Sequence, residues 1–108
     1  MNAKQDNVSI INRNCNFEGT LDFKGYLIVV GNIKGTLNVE TAMVEKDSRI
    51  LAKATVNSMT VAGYFEGEMT VTETLTISGT GNVKARIKCN KLVIEEGGIL
   101  NGNVTFLR

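Results

Sequence analysis

The sequence predicts an all-β fold, a single-domain parallel β-helix of about six coils with 16–17 residues to the coil. Three observations lead there. A seven-residue pattern, apolar-x-small-x-apolar-x-apolar, occurs six times in 108 residues, and a small residue stands two positions ahead of every copy. The chain holds 11 glycines and no proline. It can therefore turn often while every residue keeps a backbone N–H for a hydrogen-bonded ladder.

The copies run Phe17–Phe23, Ile33–Val39, Ile50–Val56, Phe65–Val71, Val83–Cys89 and Leu100–Phe106, with starts 16, 17, 15, 18 and 17 residues apart. Cys15, Gly31, Ser48, Gly63, Gly81 and Gly98 precede them as corners. Each copy alternates with period two, which makes it a strand with one face turned to a core. A shorter second element lies between copies: Leu27-Ile28-Val29, Met43-Val44-Glu45, Met59-Thr60-Val61, Leu75-Thr76-Ile77 and Leu92-Val93-Ile94. This period is too short for paired-helix solenoids or propeller blades. It fits one coil of short strands stacked roughly 4.8 Å above the last, so six coils make a rod of roughly 29 Å.

Aligning the copies gives columns of single residues. Three face inward: Phe17/Ile33/Ile50/Phe65/Val83/Leu100, Leu21/Leu37/Ala54/Met69/Ile87/Val104 and Phe23/Val39/Val56/Val71/Cys89/Phe106. A fourth, Gly19/Gly35/Ala52/Gly67/Ala85/Gly102, holds only glycine or alanine, as expected where opposite walls of a narrow core approach closely. The outward positions check the register independently. They set Glu18 beside Lys34, Glu66 beside Lys84 and Glu68 beside Arg86, and opposite charges on neighbouring strands are favourable. A Greek-key β-sandwich shares the regular spacing but not columns maintained through six copies.

Composition narrows the function. Twelve Lys and Arg against 11 Asp and Glu leave a net charge of +1, which removes the electrostatic case for nucleic acid. With no histidine there is no imidazole base or metal ligand, and neither catalytic residue, cofactor nor metal is predicted. Lys84, Arg86, Lys88 and Lys91 cluster, but Glu66 and Glu68 on the adjacent coil offset them, so a solvated ladder is expected. Cys89 falls in an inward column, and Cys15 at a corner is too far from it to form a disulfide. Residues 1–9 read as a short tail and residues 10–108 as the β-helix. The tail is neither apolar nor strongly basic, and no apolar run is long enough for a signal peptide or a membrane span. The expected compartment is the cytoplasm.

From about residue 10 to 108 the chain resembles the bactofilins, bacterial polymer-forming cytoskeletal proteins. The resemblance rests on the repeated units, on VVGNIKGTL and TVAGYFEGEMTV, and on EEGGILNGNV near the end. It implies a right-handed β-helix that polymerises end to end without nucleotide. It further implies a scaffold for cell-shape and peptidoglycan-modifying proteins, often at the inner face of the membrane.

The residues point the same way. Each end of a β-helix presents unpaired backbone and an uncovered core layer. The expected polymerisation interface is Phe17, Leu21 and Phe23 at one end, partly covered by Ile10 and Ile11, and Leu100, Val104 and Phe106 at the other. A lateral contact is expected at the outward positions of the second element, Ile28, Val44, Thr60, Thr76 and Val93, all β-branched. The alternatives are a hexapeptide-type acyltransferase, whose longer coil and catalytic histidine are missing here, and a small ligand-binding β-helix.

Overall fold

Alternating apolar residues rich in Val, Ile and Thr favour extended backbone, and tight turns stack each extended stretch on the one before. The structure, a computed structural model, describes residues 8–22 and 24–107. Within them the strands are β1 (Val8–Ile11), β2 (Asn16–Asp22), β3 (Tyr26–Val29), β4 (Asn32–Asn38), β5 (Thr41–Val44), β6 (Arg49–Val61), β7 (Tyr64–Ile77), β8 (Asn82–Ile94) and β9 (Ile99–Phe106). The first starts at Val8, ahead of the expected edge of the β-helix at residue 10.

Every pairing among the described residues is parallel, which rules out the sandwich and makes the molecule a β-solenoid of about six turns. Each coil has two arms. First arms stack as β2, β4, the first parts of β6, β7 and β8, then β9. Second arms stack as β1, β3, β5 and the later parts of β6, β7 and β8. The core lies between them, with Leu37, Ile50, Phe65, Met69 and Ile87 from first arms and Leu27, Val29, Met59, Leu75 and Ile77 from second arms, all buried.

The first-arm register follows the predicted columns residue by residue, from Phe17↔Ile33↔Ile50 through Phe65↔Val83↔Leu100, with the charged positions paired as expected. Phe23 lies outside the described residues. The second arm corrects one position. Val44 is fully buried and stacks with Val29 and Val61, while Met43 takes the outward place between Ile28 and Thr60. Three residues separate β2 from β3 but only two separate β4 from β5. With a side-chain period of two, that one-residue difference exchanges inside for outside.

The glycine column has a different cause from the one expected. Gly35 and Gly67 both have φ of +136°, and a Cβ there would sit 1.9 Å from the Gly19 carbonyl oxygen and 2.1 Å from that of Ala52. The obstacle is therefore the backbone of the coil beneath and not an opposite wall. Ala52 and Ala85 occupy the same column without positive φ, and their methyls are buried.

Corners follow a rule of their own. Four are turns closed by an N–H donating three residues back: Cys15 to Asn12, Ser48 to Glu45, Gly81 to Ser78 and Gly98 to Glu95. Asn14, Asp47 and Gly97, each third in its turn, have positive φ, which Asn and Asp tolerate better than other side chains. Ser48 is buried, and its hydroxyl donates to the Glu45 carbonyl. The corner carbonyls of Cys15, Gly31, Ser48, Gly63 and Gly81 each accept from the coil above, at 2.8–3.1 Å, so the ladder continues around the bend.

The glycine geometry sets a test. Gly67→Ala should cost at least ~1–3 kcal/mol from the backbone conformation alone, lowering the melting temperature by several degrees or more. Ala85→Gly, in the same column, should cost only about 0.5–1 kcal/mol. Circular-dichroism melts of the two variants check this; equal losses would contradict the backbone-clash account.

Candidate functional site

An inward side chain is covered on four sides in a middle coil and on three in a terminal one. The structure shows that difference at both ends. At the C-terminal end β9 pairs with β8 alone, and the second arm of β8 has no strand above it among the described residues. Val71 and Cys89 are fully buried, yet Phe106, next in their column, is 54% exposed. Ile77 is fully buried, yet Ile94 above it is 45% exposed. Leu100 and Val104 are half-buried against the core, and Ile99 and Leu107 are exposed beside them. The Leu107 N–H donates to the Cys89 carbonyl at 2.8 Å and holds the final residues against the coil.

At the opposite end β1 and β2 each have one partner, β3 and β4. Phe17, Leu21 and Ile11 are half-buried there, and Cys15 is exposed. Ile11 packs on the core as expected, but Ile10 points outward and is 54% exposed, so it covers nothing at this end. The phase of the strand decides this, since Ile11 pairs with inward Val29 and Ile10 with outward Ile28.

The expected interface residues thus fall into separate groups. Leu100, Val104 and Phe106 share one end, while Phe17 and Leu21 share the other. Ile94, Ile99 and Leu107 were missed as members of the C-terminal group. Ile94 was within reach: it continues the inward column Val29/Val44/Val61/Ile77, and no strand lies above it among the described residues.

The two terminal first-arm strands differ in charge. No ionisable residue occurs from Ile99 to Leu107, whereas β2 displays Glu18 and Asp22, both exposed. Along the side of the rod, polar groups form ladders. Asn32 donates its amide to Asn16 at 2.7 Å, and the Arg49 guanidinium lies 5.0 Å from the centre of the Tyr64 ring. The Tyr64 hydroxyl donates to Glu66 at 2.6 Å, and this bond raises the phenol above its ordinary pKa. Among the described residues no three acidic, cysteine or histidine side chains gather as a metal site, and no helix is long and apolar enough to cross a membrane.

A family model described as Bactofilin, polymer-forming cytoskeletal, matches residues 9–105. Neither the curated proteins nor the solved structures gave a match.

The two cysteines report on the coil directly. Both are free, with Cys15 exposed and Cys89 buried, where desolvation pushes the thiol pKa up. A thiol-reactive chromogenic reagent at neutral pH should label Cys15 promptly and Cys89 only after denaturant is added. Rapid reaction of both in the folded protein would contradict the packing at Cys89.

Proposed function

The chain belongs to the bactofilin family of polymer-forming cytoskeletal proteins, and we propose that it is a filament subunit whose coils continue from one molecule into the next without nucleotide. The carrying observation is the uncovered apolar layer at the C-terminal end. Phe106 and Ile94 are exposed there at the ends of inward columns that are sealed in the coils below, and Ile99 and Leu107 are exposed beside them. Burying a large apolar side chain fully is worth about 1.5–3 kcal/mol. A second end would cover this layer and also pair the free edge of β9.

Charge favours a particular joint. Two C-terminal ends meet across β9 without opposing charges on that strand, with Glu95 and Glu96 confined to the corner that precedes it. Two N-terminal ends bring Glu18 and Asp22 of one subunit toward those of the other, and like charges on facing strands are unfavourable. In this reading the C-terminal joint is the strong one and the N-terminal joint is weaker and screened by salt. The filament acts as a scaffold in the cytoplasm, at the inner face of the membrane, and its further partners are peptidoglycan-modifying and cell-shape proteins. It performs no catalysis of its own.

Phe106→Arg puts a like charge on both sides of the C-terminal joint and leaves the inner coils untouched. Sedimentation should then find monomers or dimers with native β-type circular dichroism, and persistent long filaments would refute end-on assembly through this layer. The weaker joint has its own signature. At low ionic strength the wild type should accumulate dimers that lengthen when salt is added, while the double variant Glu18→Gln, Asp22→Asn should form long filaments at low salt as well. Filament length independent of salt would remove the charge argument.

A further inference from the structure

The outward face of the first arms is furrowed where the glycine and alanine column runs. The glycines have no side chain and the methyls of Ala52 and Ala85 are buried, so outward side chains stand on both sides of a bare floor. Hollows open along this face. In the one nearest the N-terminal end two of the donors already have partners, since Asn32 bonds to Asn16 and Arg49 lies over Tyr64. The middle one sets Lys53 against Glu66 and Glu68. The last, of about 390 Å³, lies across β8 and β9. Lys84 and Arg86 of one strand and Asn101 and Asn103 of the other surround Ala85 and Gly102 there.

These four side chains are unused within the molecule. Register sets Glu66 beside Lys84 and Glu68 beside Arg86. Yet among the described residues Lys84, Arg86, Asn101 and Asn103 have no side-chain hydrogen bond or ion pair. The ladder expected at this basic cluster is therefore present in register and absent in contact. Glu66, which borders the hollow, accepts instead from the Tyr64 hydroxyl on its own strand. Gly102 keeps the floor open. Its φ is +132°, and a Cβ there would sit 2.0 Å from the Ala85 carbonyl oxygen, so no side chain is accommodated in its place.

We propose that this hollow is an anion site that takes a soluble diphosphate. Lys84 stands beside Asn101 and Arg86 beside Asn103, so two donor pairs face one another roughly 6.6 Å apart along the strands. One phosphoryl group falls to each pair. The ammonium and one carboxamide hold the first, and the guanidinium fork and the other carboxamide hold the second. No aromatic side chain lines the hollow to stack on a base, so the phosphates alone are recognised. A phosphate-bearing bilayer fits less well, because it would press on the whole face and meet exposed Glu18, Glu66 and Glu68. A small ion centred between β8 and β9 lies about one and a half strand spacings, roughly 7 Å, from β7 and its carboxylates. The hollow opens outward and not toward the free edge of β9, so the site is independent of end-joining.

The test is equilibrium dialysis of radiolabelled pyrophosphate against the full chain at constant ionic strength, which reads binding by free subunits and filaments alike. The wild type should bind saturably, with one ion per chain. Lys84→Gln and Arg86→Gln, at exposed positions that leave the core intact, should each weaken binding about tenfold, the loss of one charge-assisted contact. Glu66→Gln should tighten it about threefold by removing the bordering carboxylate. Lys53→Gln makes the same change in net charge outside the hollow and should bind as the wild type does. Equal losses in Lys53→Gln and Arg86→Gln reduce the effect to attraction by the whole rod and overturn the site, as does binding that never saturates. Retention on phosphatidylcholine–phosphatidic acid vesicles with no pyrophosphate bound makes the hollow a lipid contact and overturns it too.

Discussion

Everything in this molecule depends on the hydrogen-bonded ladder between one coil and the next. The strands are parallel and in register, so each residue meets its equivalent in the coils above and below. That single condition turns a repeat in the sequence into columns in space. It also makes the side-chain choices local. An inward residue needs to match its column neighbours and the facing arm, and little else. Ile50 below Phe65 and Met69 below Ile87 show how loosely size must be kept while the core remains sealed.

The ladder also explains how much of the structure could be read from the chain. The first arms were readable to the residue, because seven positions with period two and a small corner leave little freedom of phase. The second arms offer about four residues each, too few to fix their own phase. Their register depends on the length of the preceding corner, and the two-residue gap before β5 turned Met43 outward and Val44 inward. The glycines were found but their reason was not. A column of Gly and Ala looks the same whether a facing wall or a carbonyl below forbids the side chain, and only the backbone angle of +136° at Gly35 and Gly67 separates the two. The ends were half readable. Phe106 stood out as the last member of a Val and Cys column, whereas Ile94 and Leu107 needed the three-dimensional stack.

In the proposed filament, fold and assembly draw on the same interaction. A strand such as β9 holds one neighbour with the groups that an inner strand uses for two, and its uncovered side chains are of the kind that fill the inner coils. No separate recognition surface is required to extend the rod. What must be specified is which end meets which, and there the neutrality of β9 and the carboxylates of β2 provide a distinction that the apolar residues do not.

The bend between the two arms varies in length from coil to coil without disturbing either side. One residue, Asn57, separates the paired segments in β6, and two, Thr72 and Glu73, separate them in β7, yet the pairs Val56↔Val71 and Ser58↔Thr74 hold on both flanks. Thr72 and Glu73 answer the mismatch by bonding to Asn57 at 3.1 Å and to Ser58 at 3.3 Å. An edge that absorbs an extra residue in this way is a place where the gene can grow. Loops, epitopes or whole docking modules inserted there would be displayed once per subunit along the proposed filament, at a spacing set by the coils and indifferent to the length of what is inserted. The rod is in that sense a ruler with one face left open to evolutionary or engineered additions.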